Sequence, residues 1–214
     1  MKQKQIALIL IIVLINVFSK SWKAIPKHYN SLLYVIFWNS FYYYICKRHL
    51  VYELVSEGFN WKWLRGIHIF VVTPLIVNLY LAKFPKSLAK QAVYTIKWVF
   101  GSFVFETFLH KQKLLIFKHG WNVFWSTVIY FKMYVYSYLL TKRPGLTAFL
   151  SLSSLTFFIV KFKVPLSKRL LKGPFIIFLP KVIKYLIDIK TTINSIYYEG
   201  IKSRLRFLSI KWLR

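Results

Sequence analysis

Residues 91–109 read QAVYTIKWVFGSFVFETFL, and residues 120–141 read GWNVFWSTVIYFKMYVYSYLLT. Both segments are strongly apolar and aromatic, and a short basic stretch joins them. As α-helices they would be about 30 Å long, which is the thickness of the hydrocarbon core of a bilayer. The first segment nevertheless contains Glu106, and a carboxylate inside hydrocarbon is costly enough to indicate a specific role.

The overall composition extends this picture to the whole chain. Apolar residues make up 57% of the 214 residues. The chain has 32 Lys and Arg residues but only 5 Asp and Glu residues, which gives a net charge of +27. Such a charge is typical of nucleic-acid-binding proteins, but here the basic residues lie between long apolar segments. A membrane protein explains both features, because anionic headgroups attract Lys and Arg. We therefore expect the lipid bilayer as the main partner, with a membrane protein or a second copy as a further partner, and disfavour nucleic acid.

The hydropathy pattern predicts an all-α, multi-pass helical bundle over residues 1–160, with five or six transmembrane helices. The predicted spans lie near residues 6–19, 28–46, 67–82, 91–109, 120–141 and 144–160. Pro74 is expected to kink the third span, which membrane helices tolerate. The first segment has the features of a signal peptide or an uncleaved anchor. The lack of a small-x-small cleavage motif favours the anchor, and cleavage would leave five spans.

The remaining residues, 161–214, form a basic tail. From Lys181 onward, apolar residues recur at helical spacing, which predicts an amphipathic helix on the membrane surface; a partly disordered tail is the alternative. With six spans, one side of the membrane receives 22 Lys and Arg residues and the other receives 8. The positive-inside rule then predicts a cell-membrane protein with both termini in the cytoplasm. The tail supplies 13 of the 22, and without it the counts of 9 and 8 give no preference.

Glu106 and His110 are the first candidate site residues. They are four residues apart, so they share one face of a helix. A carboxylate beside an imidazole suits proton transfer or cation binding. An alternative is that Glu106 lies one turn from the basic loop and pairs there with Lys111 or Lys113.

The start of the second segment supplies further candidates. Trp121, Asn122, Trp125 and Ser126 could form a polar aromatic pocket with Glu106 across the short connection. The alternative is an aromatic belt at the membrane interface, in which Asn122 and Ser126 make hydrogen bonds between helices.

His68 and Lys132 are weaker candidates. His68 lies just inside the third span, where a histidine more often finds a partner near the interface than binds a metal. Lys132 lies about 18 Å along its helix from Gly120, and its side chain can extend toward the interface among neighbouring tyrosines. The histidines lack metal-binding spacing and the sequence has no cofactor motif, so we predict neither a metal nor a cofactor.

Several motifs resemble those of a family of small integral membrane proteins from Bacillus- and Clostridium-like bacteria, many of them spore formers. The resemblance rests on Tyr29–Tyr52, His68, Phe84-Pro85-Lys86, Lys90-Gln91, Trp98, Glu106, Gly120-Trp121-Asn122, Trp125-Ser126 and Pro144-Gly145-Leu146-Thr147-Ala148. It covers roughly residues 6–160 and implies a membrane protein of four to six helices. It indicates neither an activity nor catalytic residues. The long basic tail and Lys132 depart from the family pattern.

The sequence contains no phosphate-binding loop, dinucleotide fingerprint, nucleophile elbow or paired carboxylates. The favoured interpretation is therefore an accessory or interaction protein of the cytoplasmic membrane. The alternative is a small ion or solute transporter or channel that uses Glu106. A membrane-embedded enzyme acting on lipid or envelope precursors is the least favoured interpretation.

Overall fold

The computed structural model describes residues 2–46, 49–56, 58 and 60–165. Most of the predicted surface tail, residues 166–214, lies outside this range. The described chain is mostly helical, as predicted. Its helices are α1 (Lys2–Phe18), α2 (Ile25–Ile45), α3 (Trp61–Ile67), α4 (Thr73–Ala82), α5 (Leu88–Lys111), α6 (Val123–Lys142) and α7 (Pro144–Lys161), with a short 3-10 helix at Ser21–Ala24 and a π-helical turn at His68–Val72.

Three helical segments of the described chain are long and apolar enough to cross a membrane, namely Trp61–Ala82, Leu88–Lys111 and Pro144–Lys161. A fourth crossing results if α1 and α2, which are bent by 75° relative to each other, together form one span. In Leu88–Lys111 and Pro144–Lys161, only 11% of the apolar window is buried inside the protein. An outward apolar surface of this size suits contact with lipid. The count of five or six spans stays a prediction.

The junction between α1 and α2 is a tight polar turn. Lys20 has a φ of 56°, in the left-handed region, and the turn is held from both sides. The Ser21 hydroxyl donates to Asn16 Oδ1 at 2.9 Å, and the buried Asn78 of α4 donates to the Ser21 carbonyl at 2.9 Å. These bonds fix the turn against α4.

The third predicted span is continuous through Pro74. Proline lacks an N–H group and its ring clashes with the carbonyl four residues earlier, here Phe70. The π-helical turn at His68–Val72 widens the helix directly before this position. The Thr73 hydroxyl also donates to the His68 carbonyl at 3.0 Å. The proline is therefore accommodated within a single 22-residue segment.

The main core lies where α2, α4 and α6 meet, and it is rich in tyrosine. Tyr80 and Tyr134 are fully buried, with ring centroids 4.6 Å apart. Each hydroxyl reaches α5: Tyr80 bonds to Thr95 at 2.8 Å and Tyr134 bonds to Ser102 at 2.7 Å. Because buried hydroxyls need partners, these bonds hold α5 against the core.

A small antiparallel sheet, which the sequence analysis did not predict, joins two loops. Strand β1 (Tyr52–Leu54) pairs with β2 (Leu115–Phe117), with Glu53 opposite Ile116. The N-terminal residues join the same region, since Lys4 donates to Gln112 at 2.8 Å and Gln5 donates to the Val55 carbonyl. The start of α1 and the two loops therefore meet at one end of the bundle.

Candidate functional site

Helix α5 turns its apolar side chains outward and keeps a carboxylate inside. Thr95 and Glu106 are its two buried residues. Glu106 is only 4% exposed, whereas Phe100 is 64% exposed on the same helix. A carboxylate held inside while large apolar side chains face outward is the reverse of the usual preference. Its position therefore calls for a specific explanation.

Glu106 lines a cavity of about 160 Å³ enclosed by residues from α1 to α6. At about 30 Å³ per water molecule, this volume would take roughly five waters. Most of the wall is apolar. Its polar side chains are Gln5, Asn39, Tyr52, His68, Thr73, Ser102, Glu106, Trp121, Ser126 and Tyr130.

Helix α6 presents two hydroxyl groups to the carboxylate. Ser126 and Tyr130 are four residues apart and share a face of α6, and both line the same cavity as Glu106. Trp121 adds a third link, because its indole Nε1 donates to Ser126 Oγ at 2.8 Å. The hydroxyl of Ser126 is thereby placed between an aromatic donor and the carboxylate.

The backbone before α6 determines this placement. Gly120 has a φ of 78°, a conformation that glycine adopts readily. Asn122 then caps α6, its side chain accepting the Trp125 backbone N–H at 3.2 Å. The turn directs Trp121 back toward Ser126, five residues later in the chain.

Two polar atoms on the cavity wall have no protein partner. They are His68 Nδ1 and Gln5 Oε1, both buried. An unpaired buried polar atom costs about 1–3 kcal/mol, unless water or a ligand satisfies it. His68 also begins the π-helical turn, a local irregularity that is frequent at functional sites.

The carboxylate of Glu106 forms no ion pair in the described part of the chain. The ion pairs found there both belong to Glu53, which contacts Arg65 at 2.8 Å and Lys118 at 2.9 Å. The predicted alternative, pairing of Glu106 with Lys111 or Lys113, is not observed. A buried carboxylate without an ion pair is costly unless polar neighbours, a proton or a bound cation compensate it, and the nearest imidazole is that of His110, one turn further along α5.

Three predicted site residues lie elsewhere. His110 is exposed; its Nδ1 lies 3.0 Å from the Leu115 carbonyl, and it does not line the cavity. Asn122 is occupied as the cap of α6. Trp125 packs on α7, with its ring centroid 5.9 Å from that of Phe158.

Lys132 faces a second cavity, of about 210 Å³, between α2, α6 and α7. Its Nζ lies 4.6 Å from the centroid of the Phe158 ring. Along α6 it comes two residues after Tyr130, so it points about 200° away from the face that carries Tyr130. Helix α6 therefore stands between Lys132 and Glu106.

Four residues predicted as candidates line one cavity, namely Glu106, Trp121, Ser126 and His68. Tyr130 and Tyr52, which also line it, were not predicted as site residues. The spacing of Ser126 and Tyr130 was the available signal, because a residue four positions after a candidate serine shares its helix face. Tyr52 gave no comparable signal, since its position depends on the pairing of β1 with β2.

No family model, curated protein or solved structure matches the chain. Over the described ranges, no group of three or more His, Cys, Asp or Glu side chains is arranged to hold a metal ion. The site therefore has to be interpreted from its own geometry.

Proposed function

We propose that the chain is an integral membrane protein that binds a small cation or a proton at Glu106 and transports it across the bilayer. The observation that carries this proposal is the burial of Glu106 in a cavity without an ion pair among the described residues. Ionisable side chains inside membrane bundles commonly mark ion or proton pathways.

The surroundings of Glu106 suit a small positively charged ligand. Carboxylate and hydroxyl oxygens are the ligands that hard cations prefer. Glu106, Ser126 and Tyr130 would supply three such oxygens on one side of the cavity. For a proton, His68 supplies a second titratable group on the cavity wall, with Nδ1 free to accept or donate.

The membrane topology is part of the proposal. We place the start of α1 and the loops that carry β1 and β2 on the cytoplasmic side of the cell membrane, as the positive-inside rule suggests. Their mutual contacts support a common side for these segments. A bundle of five or six crossings, a basic surface tail and membership of the Bacillus- and Clostridium-like family belong to the same proposal.

Flux through purified protein in liposomes tests the function. Wild type, Glu106→Gln and Glu53→Gln are reconstituted and given a gradient of H⁺, Na⁺ or K⁺ separately. Glu53→Gln is the matched control, because it removes the carboxylate of the ion-paired loop residue. We expect flux of one ion to fall at least tenfold in Glu106→Gln and to persist in Glu53→Gln.

The three gradients separate the two ligand classes. Flux under the proton gradient alone identifies a proton pathway, whereas flux under Na⁺ or K⁺ identifies a cation site. Flux that survives Glu106→Gln in protein of unchanged size in detergent would contradict the proposal. A folded wild type that conducts nothing would favour an accessory role.

That accessory role is the second candidate, and one feature of α5 favours it. Gly101 lies on the outward side, with open space where a Cβ atom would be. Small residues let membrane helices approach closely, and the exposed Phe100 and Val104 flank this position. A Gly101→Leu substitution should weaken any association of α5 with a partner helix, measured by crosslinking in native membranes.

A further inference from the structure

The second cavity differs from the Glu106 cavity in charge and in position. α2 and α7 each pack on α6, and the groove between them holds the side chain of Lys132. Its walls are almost entirely apolar, and the lining residues include Trp38, Phe41, Ile45, Ile129, Leu155 and Phe158. A single cation in an apolar groove requires an explanation of its own.

Lys132 has an aromatic neighbour but no anionic one in the described ranges. Its ammonium lies over the Phe158 ring at 4.6 Å, a favourable cation–π contact. The ion pairs present in those ranges both involve Glu53. The ammonium is therefore available to a negatively charged ligand that enters the groove.

Four hydroxyl-bearing side chains that line the groove bond to one another in pairs. Tyr34 and Ser151 bond to each other at 2.5 Å, linking α2 to α7. Tyr136 and Ser154 bond at 3.1 Å, linking α6 to α7. A ligand in the groove is thus recognised by one positive charge and by apolar contact, which describes an amphiphile with a single anionic end.

We infer that this groove binds a long-chain fatty acid, with its carboxylate on Lys132 and its acyl chain along the apolar walls. Lys132 comes nine residues after Val123, about 13 Å along α6 from the first turn. If α6 crosses the bilayer as in the proposed topology, on which this step rests, that position is deep for the bulky headgroup of a two-chain phospholipid, whereas a carboxylate is small and carries one chain. The two cavities share wall residues, namely Asn39, Tyr52, Trp121, Ile129 and Met133, but Lys132 lines only this groove and Glu106 only the other cavity.

Direct binding tests the inference. The full chain is reconstituted in phosphatidylcholine nanodiscs, and radiolabelled oleate or oleyl alcohol is titrated onto it. We expect saturable oleate binding, and at least tenfold weaker binding of the alcohol, which has the same chain but no charge. Equal binding of acid and alcohol would overturn the inference.

Three variants test whether the positive charge of Lys132 binds the carboxylate of oleate. Lys132→Met should weaken oleate binding about tenfold, and Lys132→Arg should retain it. Lys97→Met is the matched control, because Lys97 is an exposed lysine within α5 and its loss should change nothing. Unchanged oleate binding by Lys132→Met, or an equal loss with Lys97→Met, would overturn the inference.

Two further measurements keep the test independent of folding and of the Glu106 site. A diazirine fatty acid bound to wild type should crosslink to α2, α6 or α7 near the groove, and labelling confined to α1 or α5 would contradict the proposal. Competition by phosphatidylglycerol as strong as that by oleate would assign the groove to phospholipid instead. Oleate binding should persist in Glu106→Gln, so a failure of the flux experiment leaves this result interpretable.

Discussion

His49 and His119 stack their imidazole rings with centroids 3.6 Å apart and planes inclined by 20°. His49 also reaches the end of α7, with Nε2 3.1 Å from the Phe162 carbonyl. The pair therefore joins the loops around the small sheet to the last described helix. Desolvation, followed by the charges of His49 and Lys118, lowers the pKa of His119 below its usual 6.5.

This stack predicts a loss of stability in mild acid. The folded protein favours the neutral form of His119 more than the unfolded chain does. The stabilisation that neutral His119 gives the fold is therefore complete above about pH 6.5 and is lost as the pH falls. Because His119 is exposed to solvent, the drop in the apparent Tm in detergent between pH 7.5 and pH 5 should be small. In His119→Asn the drop should be smaller still, because the titrating imidazole is gone; asparagine is the chosen replacement because it tolerates the left-handed backbone at this position.

His110→Asn serves as the control for this measurement, because it also removes an imidazole but not one that stacks on another histidine. Its Tm should fall with pH as far as that of wild type. An identical fall in His119→Asn would show that the stack does not sense pH.

The ion pairs of Glu53 predict a loss of stability at a lower pH. Desolvation raises the pKa of this carboxyl, but the hydrogen bonds and charges of Lys118 and Arg65 outweigh it and leave the pKa below 4.5. The stabilisation is then complete above the unfolded value and is lost as the pH falls below about 4.5. Because the Glu53 side chain is 30% exposed, each pair should contribute at most about 1 kcal/mol.

A double-mutant cycle with Glu53→Gln and Lys118→Met measures that energy by chemical denaturation. The coupling should be a few tenths of a kcal/mol to about 1 kcal/mol at pH 7 and should weaken as the pH falls below about 4.5. A coupling unchanged at pH 3 would rule out an ionic interaction between these side chains.

The bond between Trp121 and Ser126 can be tested without disturbing the aromatic packing. Trp121→Phe keeps an aromatic ring near Phe162, whose centroid is 4.8 Å away, but removes the indole N–H. The expected loss is about 0.5–1.5 kcal/mol for one hydrogen bond, plus lost ring contacts. In a Ser126→Ala background the same substitution should cost measurably less, whereas equal costs in both backgrounds would exclude a direct interaction.

Gly120 and Gly66 provide a matched pair of glycine substitutions. Both have open space at the Cβ position, but only Gly120 of the two has a positive φ, at 78°. Gly120→Ala should therefore cost about 1–2 kcal/mol through backbone strain. Gly66→Ala, within α3, should stabilise by up to about 1 kcal/mol through helix propensity. Thermal unfolding of both variants would separate the cost of backbone strain from the cost of steric contact. Destabilisation of equal size in the two variants would show that the positive φ of Gly120 is not the cause.

Long apolar segments located the helices in the sequence, because each one must satisfy its backbone groups internally over some twenty residues. The third helix begins at Trp61, well before the predicted start at residue 67. The predicted span begins only after Arg65, but the guanidinium of Arg65 pairs with Glu53 and lies 4.6 Å from the Trp61 ring centroid. A charged residue that gains an ion-pair partner on folding can lie within an apolar helix, whereas an isolated charge usually marks its end.

Some residues of the candidate site could be predicted from the sequence and others could not. Glu106 and Ser126 stood out because polar side chains are rare in apolar helices. His110 was grouped with Glu106 by helical spacing; it lies at the exposed end of α5, one turn from Glu106, and its Nδ1 is 3.0 Å from the Leu115 carbonyl. The strands β1 and β2 are three residues long, too short for an alternating pattern to be recognised.

The pairing of β1 with β2 constrains the order in which the chain assembles. Two helical segments separate the strands, so the ladder cannot form until both have been synthesised and inserted into the bilayer. Closing so long a loop carries an entropic cost that only later contacts offset. The sheet would then form late in assembly. A nascent chain arrested before Leu115 would contain α4 and α5 but would lack the strand pairing that links the loops on either side of them.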